Sequence, residues 1–436
     1  MKKLLPLFVS AALGTLSSAV WAENLAEIYN QAKENDPQLL SVAAQRDAAF
    51  EAVTSSRSAL LPQINLTAGY NINRSDQDPR ESDLLSAGIN FSQELYQRSS
   101  WVSLDTAEKK ARQADSQYAA TQQGLILRVA KAYFEVLRAQ DNLEFVRAEK
   151  AAVGRQLEQT KQRFEVGLSA ITDVHDAQAQ FDGVLADEVL AENSLTNSYE
   201  ALREITGQEY SKLAVLDTKR FAASRTTESS EALIEKAQQQ NLSLLTARIS
   251  QDVARDNISL ASSGHLPSLT LNGDYNYADN RNSHASNPSD YNDFKIGVNL
   301  KVPLYTGGKT TSLTKQAEFA YVAASQDLEA AYRSVVKDVR AYNNNINASI
   351  GALRAYEQAV ISAKSALEAT EAGFDVGTRT IVDVLDATRR LYDANKNLSN
   401  ARYDYILSVL QLRQAIGTLS EQDVMDVNAG LKVAKK

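Results

Sequence analysis

The chain of 436 residues contains no cysteine, three histidines and seven prolines. Without cysteine it forms no disulfide and no thiolate metal site, and it carries no lipid on an N-terminal cysteine. The histidines, His175, His265 and His284, are too far apart in sequence to give metal-ligand spacing. We therefore expect neither a metal site nor a cofactor.

No catalytic constellation is present, and we expect that the protein is not an enzyme. Gly307-Gly308-Lys309-Thr310 superficially resembles the end of a phosphate-binding loop. That loop needs a glycine five residues before its second glycine, and Pro303 occupies the position. We interpret the segment as a turn between a strand and a helix.

Long apolar runs are also missing beyond the N-terminus. Residues 1–22 contain a basic start, an apolar stretch and small final residues, which is typical of a secretory signal peptide. No later run of about 18 apolar residues exists, so we expect no membrane-spanning helix. Removing Lys2 and Lys3 leaves 44 basic residues (46 minus 2) against 54 acidic ones, a net charge of −10 that argues against nucleic acid as a partner.

Four stretches alternate apolar and polar residues, in two pairs at 63–95 and 268–305. Period-two alternation predicts strands, and each run suits a tilted strand of about 9–11 residues across a bilayer. Apolar-out and polar-in alternation is typical of a membrane barrel with a wet lumen, although two half-buried hairpins of a soluble protein remain the alternative. The apolar series are Ile64, Leu66, Ala68, Tyr70 and Ile72; Leu85, Ala87, Ile89, Phe91 and Leu95; Leu269, Leu271, Tyr275 and Tyr277; and Phe294, Ile296, Val298, Leu300, Val302 and Leu304.

The second half of the chain repeats the first. Phe164-Glu165-Val166-Gly167 corresponds to Phe374-Asp375-Val376-Gly377, and further matches follow in the same order. Ordered matches indicate duplication. We predict a first structural repeat at 23–215, a linker at 216–230, a second repeat at 231–420 and a C-terminal tail at 421–436.

The distribution of proline predicts long helices. No proline lies between Pro79 and Pro267 or after Pro303, and these segments are rich in good helix formers. We expect one helix of ~95 Å from about 101 to 164, a return helix of ~54 Å from 171 to 206, and a helix of ~52 Å from 25 to 59. Because the two shorter lengths add up to the long one, each repeat should place one long helix beside two stacked shorter ones.

One chain does not supply enough strands to close a barrel. Unpaired strand edges cannot face lipid, and the smallest membrane barrels have ~8 strands. Four strands per chain therefore predict that several chains share one barrel, with the long helices continuing as a hollow cylinder.

These features resemble the TolC family of outer-membrane efflux channels. The resemblance rests on residues 374–387, on the paired openings Leu61-Pro62 and Leu266-Pro267, and on Glu23-Asn24-Leu25. It implies an α+β membrane protein, a homotrimer whose shared 12-stranded β-barrel (four strands per chain) continues into an α-helical periplasmic tunnel. It also implies a place in the outer membrane of a Gram-negative bacterium.

The resemblance further implies an exit duct for tripartite drug efflux and type I protein secretion, closed at its periplasmic end. The partners it implies are outer-membrane lipid, a periplasmic adaptor and an inner-membrane transporter of the RND, ABC or MFS type. The main alternative is a periplasmic coiled-coil adaptor without a pore, and a second is a passive, ligand-selective porin.

Two aspartates mark the candidate entrance. Asp383 and Asp386 are three residues apart and share a helix face, just after a turn at Gly377; Gly167 forms the matching turn in the first repeat. Such carboxylates commonly cap a helix and complement its dipole. The resemblance instead implies that they form rings of carboxylates at a narrow mouth.

The resemblance also implies bonds that hold the coils closed. Arg379 would reach Thr172 and Asp173 of a neighbouring coil. At position 374 the family often has a tyrosine whose hydroxyl bonds to this aspartate, and Phe374 has none.

Overall fold

The structure, a computed structural model, describes residues 23–74, 82–281 and 290–432. The predicted signal peptide, His284 and parts of the two hairpin loops lie outside these residues. Among the described helices, none is both long and apolar enough to cross a membrane.

Most of the described chain consists of two similar series of elements. Each series contains a pair of helices, a pair of strands, a long helix and a return helix. In chain order the elements are α1 (Leu25–Asn35), α2 (Pro37–Ser58), β1 (Gln63–Asn73), β2 (Ser82–Gln97), α3 (Arg98–Glu165), α4 (Ile171–Thr206), β3 (Val215–Leu216), α5 (Ser230–Gln240), α6 (Leu242–Ser262), β4 (Ser268–Arg281), β5 (Tyr291–Lys301), α7 (Lys309–Asp375), α8 (Ile381–Ile416), α9 (Glu421–Asn428) and β6 (Leu431–Lys432).

The four long strands form one antiparallel sheet in the order β1-β2-β4-β5. The predicted apolar residues pair with one another: Leu66 lies opposite Ile89, which lies opposite Tyr275, and Tyr275 lies opposite Phe294. They therefore share one face of the sheet, and Leu66 and Phe294 are 77% and 70% exposed there. A soluble hairpin would bury this face in a core, whereas the chain leaves it uncovered.

One strand boundary and one register differ from the regular alternation that was predicted. The alternation predicts that the fourth strand reaches Leu304, but β5 ends at Lys301, two residues before Pro303, which has no N–H for a ladder hydrogen bond. In β2 the register shifts between Glu94 and Tyr96, so Leu95 is an extra residue in a bulge.

The prediction of one helix from 25 to 59 is wrong, because the structure has two helices. The break falls at Asp36, whose side chain accepts a hydrogen bond from the N–H of Leu39 at the start of α2. Pro37 follows at the first position of α2, where its missing N–H costs nothing. The equivalent break in the second half falls at Asn241, which caps α6 through the N–H of Leu244.

The long helices α3 and α7 contain 68 and 67 residues, or ~100 Å each. In the half of the rod next to the strands, α2 packs on α3, α3 on α6 and α6 on α7. In the half next to the turns, α4 packs on α3, and α8 packs on both α7 and α3. The helix α4 has the predicted bounds, 171–206, at both ends. The helix α8 is the return helix that the second repeat predicts. The strands and the turns after α3 and α7 therefore lie at opposite ends of a rod.

A belt of short elements lies against the middle of this rod. The linker strand β3 pairs with β6 near the end of the chain. The hydroxyl of Tyr133, a fully buried residue of α3, donates to the carbonyl of Ala214 at 2.6 Å. The tail, of which only the boundary at 421 was predicted, packs through α9 against α1, and Asp423 of α9 forms an ion pair with Arg413.

Candidate functional site at the helix turns

The turns that follow α3 and α7 have the same construction. Gly167 and Gly377 have φ values of 76° and 77°, a conformation that glycine adopts without strain. One residue later, the N–H of Leu168 donates to the carbonyl of Arg163, and the N–H of Thr378 donates to that of Gly373. Each turn thus closes the last carbonyls of one helix and reverses the chain within five residues.

Asp173 and Asp383 occupy the same place in the helices that leave these turns. The Asp383 carboxylate accepts hydrogen bonds from the N–H and the hydroxyl of Thr380, both at 2.9 Å. Asp173 accepts from the N–H of Ala170 and the hydroxyl of Ser169. Hydrogen bonds from the Thr380 backbone and side chain, with the charge of Arg379, lower the pKa of Asp383. Asp383 is therefore both a capping residue and a carboxylate that stays ionised.

Asp386 lies one turn further along α8 and is paired within its own helix. Arg389 and Arg390 contact its carboxylate at 2.7 and 2.5 Å. Together with Asp383 and with Asp176 of α4, it lines a groove of about 470 Å³. The structure thus brings the two predicted entrance carboxylates together, and it adds two arginines that the sequence reasoning missed.

The predicted constraining residues lie close to the turns but do not all meet within one chain. Arg379 and Thr172 are exposed, and among the described residues neither forms an ion pair or a side-chain hydrogen bond. The side chain of Arg379 lies back along α7, since a Cβ built at Gly373 would be 2.8 Å from its Cγ. A bond from Arg379 to Thr172 or Asp173 of a neighbouring coil remains a prediction.

Phe374 does have a partner, which the sequence reasoning missed. The guanidinium carbon of Arg163 lies 4.5 Å from the centre of the Phe374 ring, a cation–π geometry. Phe374 also packs against a buried cluster that joins α3, α4 and α8. Arg163 directly precedes the repeated Phe-x-Val-Gly segment, but its pairing depends on how two coils pack, which no local pattern reveals.

This buried cluster connects the coil of α3 and α4 with the coil of α7 and α8. A polar bridge beside it runs from Gln156 of α3, whose Nε2 donates to Oγ1 of Thr388 on α8 at 3.1 Å. Both residues are at least nine-tenths buried. Nearer the turns, Arg163 of α3 lies 3.9 Å from the carboxylate of Asp375 on α7. Apolar packing therefore supplies most of the contact between the two coils at this cluster. The cluster contains Val153, Leu157, Ala177, Val184, Ile381, Val384 and Leu385.

A second group of charges lies a few helical turns away from Asp383, where α3, α4 and α8 meet. Burial raises the pKa of Glu149 to about 7, assisted by repulsion from Asp393 and Asp187. Arg389 and Lys396 oppose this shift of the pKa. Since Arg389 also contacts Asp386, one guanidinium connects this predicted entrance carboxylate with the second group of charges.

Comparison with known proteins gives this geometry a context. A family profile described as outer membrane efflux protein matches residues 28–208 and 233–418. The outer membrane protein TolC of Vibrio cholerae is 97% identical over 438 residues, covering the whole of both chains. The alkaline protease secretion protein AprF of Pseudomonas aeruginosa is 30% identical, over 97% of this chain and 90% of its own length. Among solved structures, CusC has the same fold, with a TM-score of 0.80 at 15% identity over 91% of this chain and 93% of its own.

Proposed function

This chain belongs to the outer membrane efflux protein family, and from that membership we propose how its strands and long helices form an exit duct. It is an outer membrane protein, and its role is efflux and type I secretion rather than catalysis. The similarity to a TolC protein covers both chains completely, so it includes the sheet, the rod and the turns.

We propose that three chains share one barrel of 12 strands. The observation that carries this proposal is the four-stranded sheet, whose outer strands β1 and β5 have no partner strand within the described chain. In lipid each unpaired backbone group costs several kcal/mol, so these edges must pair with other copies. The exposed apolar face of the sheet would then contact lipid, and the polar face, where Asn90 bonds Asp274 at 2.6 Å, would line water.

The helices of the three copies would continue below the barrel as a tunnel. Each chain contributes a rod of ~100 Å, which suits a duct that reaches across the periplasm. Each chain contributes two predicted repeats, at 23–215 and 231–420. Three chains would therefore build the tunnel wall from six similar helical units. A periplasmic adaptor and an inner-membrane transporter would contact it from below, as family membership suggests.

At the tips, Asp383 and Asp386 would form rings of carboxylates around the entrance. Three Asp383 groups that stay ionised attract cations and repel anions, and polyvalent cations would bind there and plug the closed pore. Asp386 contributes less negative charge, because Arg389 and Arg390 neutralise it. Arg379, Thr172, Asp173 and Phe374 would hold neighbouring coils in the closed position.

The test is single-channel conductance of the purified protein in a planar lipid bilayer. We expect small, cation-preferring steps, and about tenfold or more weaker block by a trivalent cation in the double variant Asp383→Ala with Asp386→Ala. Glu165→Ala, which removes an exposed carboxylate just before the first turn, is the matched control. Preference and block that survive in the double variant would place the constriction elsewhere.

The alternatives give different records in the same experiment. A coiled-coil adaptor without a pore would give no steps from any variant. A permanently open porin would give large steps that the substitutions at the turns leave unchanged.

A further inference from the structure

The junction between the sheet and the long helices contains a groove of about 830 Å³. Its walls come from the end of β2 and start of α3, from the end of α6 and start of β4, and from the segment between β5 and α7. This volume is typical of a site for a drug-sized molecule. The groove lies far from the turns and from the charges of the entrance.

The groove opens on the polar face of the sheet. Gln97, Ser268 and Lys301 lie directly opposite one another on β2, β4 and β5, and all three line the groove. The next row, which includes Leu269 and Leu300, belongs to the opposite, apolar face. In the proposed barrel the polar face lines the lumen, so the groove faces the path of the exported molecules.

Three cationic side chains line this groove: Arg98, Lys301 and Lys309. All three are exposed, and within the described part of the chain none has an ion pair or a side-chain hydrogen bond. The nearby carboxylate of Glu94 is directed to the hydroxyl of Ser100, at 2.6 Å, and does not line the groove. The groove therefore carries an uncompensated positive charge.

Two of these cations stand where a helix disfavours them. Arg98 and Lys309 are the first residues of α3 and α7, and neither helix has an acidic residue in its first turn or a side-chain cap. The positive end of a helix dipole repels cations and favours anions. Two cations at helix N-termini therefore lower the stability of the fold unless a bound anion compensates their charge.

Apolar side chains lie beside the charges. Leu260, Leu266, Leu313 and Tyr305 line the same groove, and Tyr305 is 89% exposed. A ligand that contacts both the cationic and the apolar side chains of the groove would have an anionic head group and an apolar body.

We propose that this groove is a binding site for amphipathic anions on their way through the duct, such as alkyl or aryl sulfonates and carboxylates. The head group lies between Arg98, Lys301 and Lys309, and the apolar body lies against Leu266 and Tyr305. The inference rests on the proposed barrel for its statement that the groove faces the lumen. It gives the duct a cargo-binding wall of opposite sign to its entrance.

The test measures binding of 8-anilinonaphthalene-1-sulfonate, an aromatic sulfonate, by its fluorescence on full-length protein in nanodiscs of zwitterionic lipid. We expect about one site per chain. Replacing Arg98, Lys301 and Lys309 together by glutamine should raise the Kd roughly tenfold or more, the effect of losing one hydrogen bond to a charged group. The matched control replaces Lys110, Lys212 and Lys364, which are exposed and unpaired in the described chain, and should leave the Kd unchanged.

Two results would overturn the proposal: the same Kd for the wild type and the groove variant, or an equal loss in the control. If the triple variant fails to assemble, the single substitution Lys301→Gln serves as the test. It should raise the Kd, but less than the triple variant. Conductance of the same preparations is recorded separately, so an absence of channel steps would refute the duct without affecting the binding result.

Discussion

Phe374 differs from the tyrosine that the family often has at this position, and its surroundings define a test of the closed state. Its ring packs beneath Arg163 and against the cluster that joins the two coils. Asp173 already accepts two hydrogen bonds, but a carboxylate has about four acceptor sites. Asp173 therefore has acceptor capacity left for a tyrosine hydroxyl at 374, the bond that the family resemblance implies.

We predict that Phe374→Tyr lowers the basal conductance of the channel. A hydrogen bond to a charged group contributes ~1.5–3 kcal/mol, so the open probability should fall by roughly tenfold or more. Phe181→Tyr, which adds a hydroxyl elsewhere in the same cluster, is the control and should leave conductance unchanged. Unchanged conductance in Phe374→Tyr would mean that Asp173 is held in another way.

Glu149 should make stability depend on pH. Its pKa rises from the ordinary 4.5 to about 7 in the folded protein. Because the folded chain holds the proton more tightly than the unfolded chain, stability is lost as the pH rises from about 4.5 to about 7. Repulsion from Asp393 and Asp187 adds to the cost of the charged form.

We predict that Glu149→Gln is more stable than the wild type at pH 8 by about 1–2 kcal/mol, and that the difference disappears at pH 4. Thermal unfolding in detergent at the two pH values measures this. Glu144→Gln, an exposed substitution on the same helix, should change stability by less than about 0.5 kcal/mol at either pH. A difference for Glu149→Gln that is equal at both pH values would show that the effect does not come from titration.

Residue identities in the site could be predicted only where a local rule applies. The spacing of Asp383 and Asp386 after a Val-Gly turn indicated a shared face and a possible cap, and the structure contains the cap. The partners of Asp386 also lie on its own helix, within reach of an i,i+3 or i,i+4 rule. The contacts of Arg163, Gln156 and Glu149 depend on packing between coils, and no local pattern encodes that.

Among the elements, the break between α1 and α2 is held by one ion pair. The Arg128 guanidinium of α3 contacts both oxygens of Asp36, at 3.1 and 2.6 Å. Asp36 is only 2% exposed, and it also caps α2. The pair therefore fixes the point at which two stacked helices meet the long one.

We predict that Arg128→Met lowers the free energy of unfolding by about 3 kcal/mol, because it leaves a buried carboxylate without its partner. Adding Asp36→Asn should recover part of the loss, since asparagine keeps a capping oxygen without the charge. Chemical denaturation measures both. The control is Arg333→Met, whose ion pair with Glu329 is exposed and should contribute less than about 1 kcal/mol; an equal loss in the control would contradict the argument.

The type and length of the elements could be predicted better than their breaks. Period-two alternation and the absence of proline correctly predicted the strands and the long helices, because both signals extend over many residues. The break at Asp36 and Pro37 carried a local cap signal that the length argument overrode. The break at Asn241 has no proline. Its asparagine caps α6 locally, and the side chain also donates to the carbonyl of Ala415 on α8, which is remote in sequence.

At the scale of the whole molecule, the helices α2 and α7 lie at the two sides of the row α2-α3-α6-α7. Large apolar side chains on these helices are uncovered, among them Phe50 on α2 and Phe319 on α7, the latter 75% exposed. The sequence indicated that several chains must assemble, because four strands cannot close a barrel. It did not indicate which helix faces meet, since small and apolar residues occur on more than one face.

We predict that neighbouring copies cover Phe319, so that Phe319→Glu destabilises the trimer. Burying an unpaired carboxylate at the contact is unfavourable enough to raise the concentration at which the trimer dissociates by roughly tenfold or more. Sedimentation of the detergent-solubilised protein at decreasing concentration measures this. Gln316→Glu, one turn earlier and already polar and exposed, adds the same charge as a control. If both variants remain trimeric to the same dilution, the side face of α7 is not the contact, and the unpaired edges of β1 and β5 must hold the copies together alone.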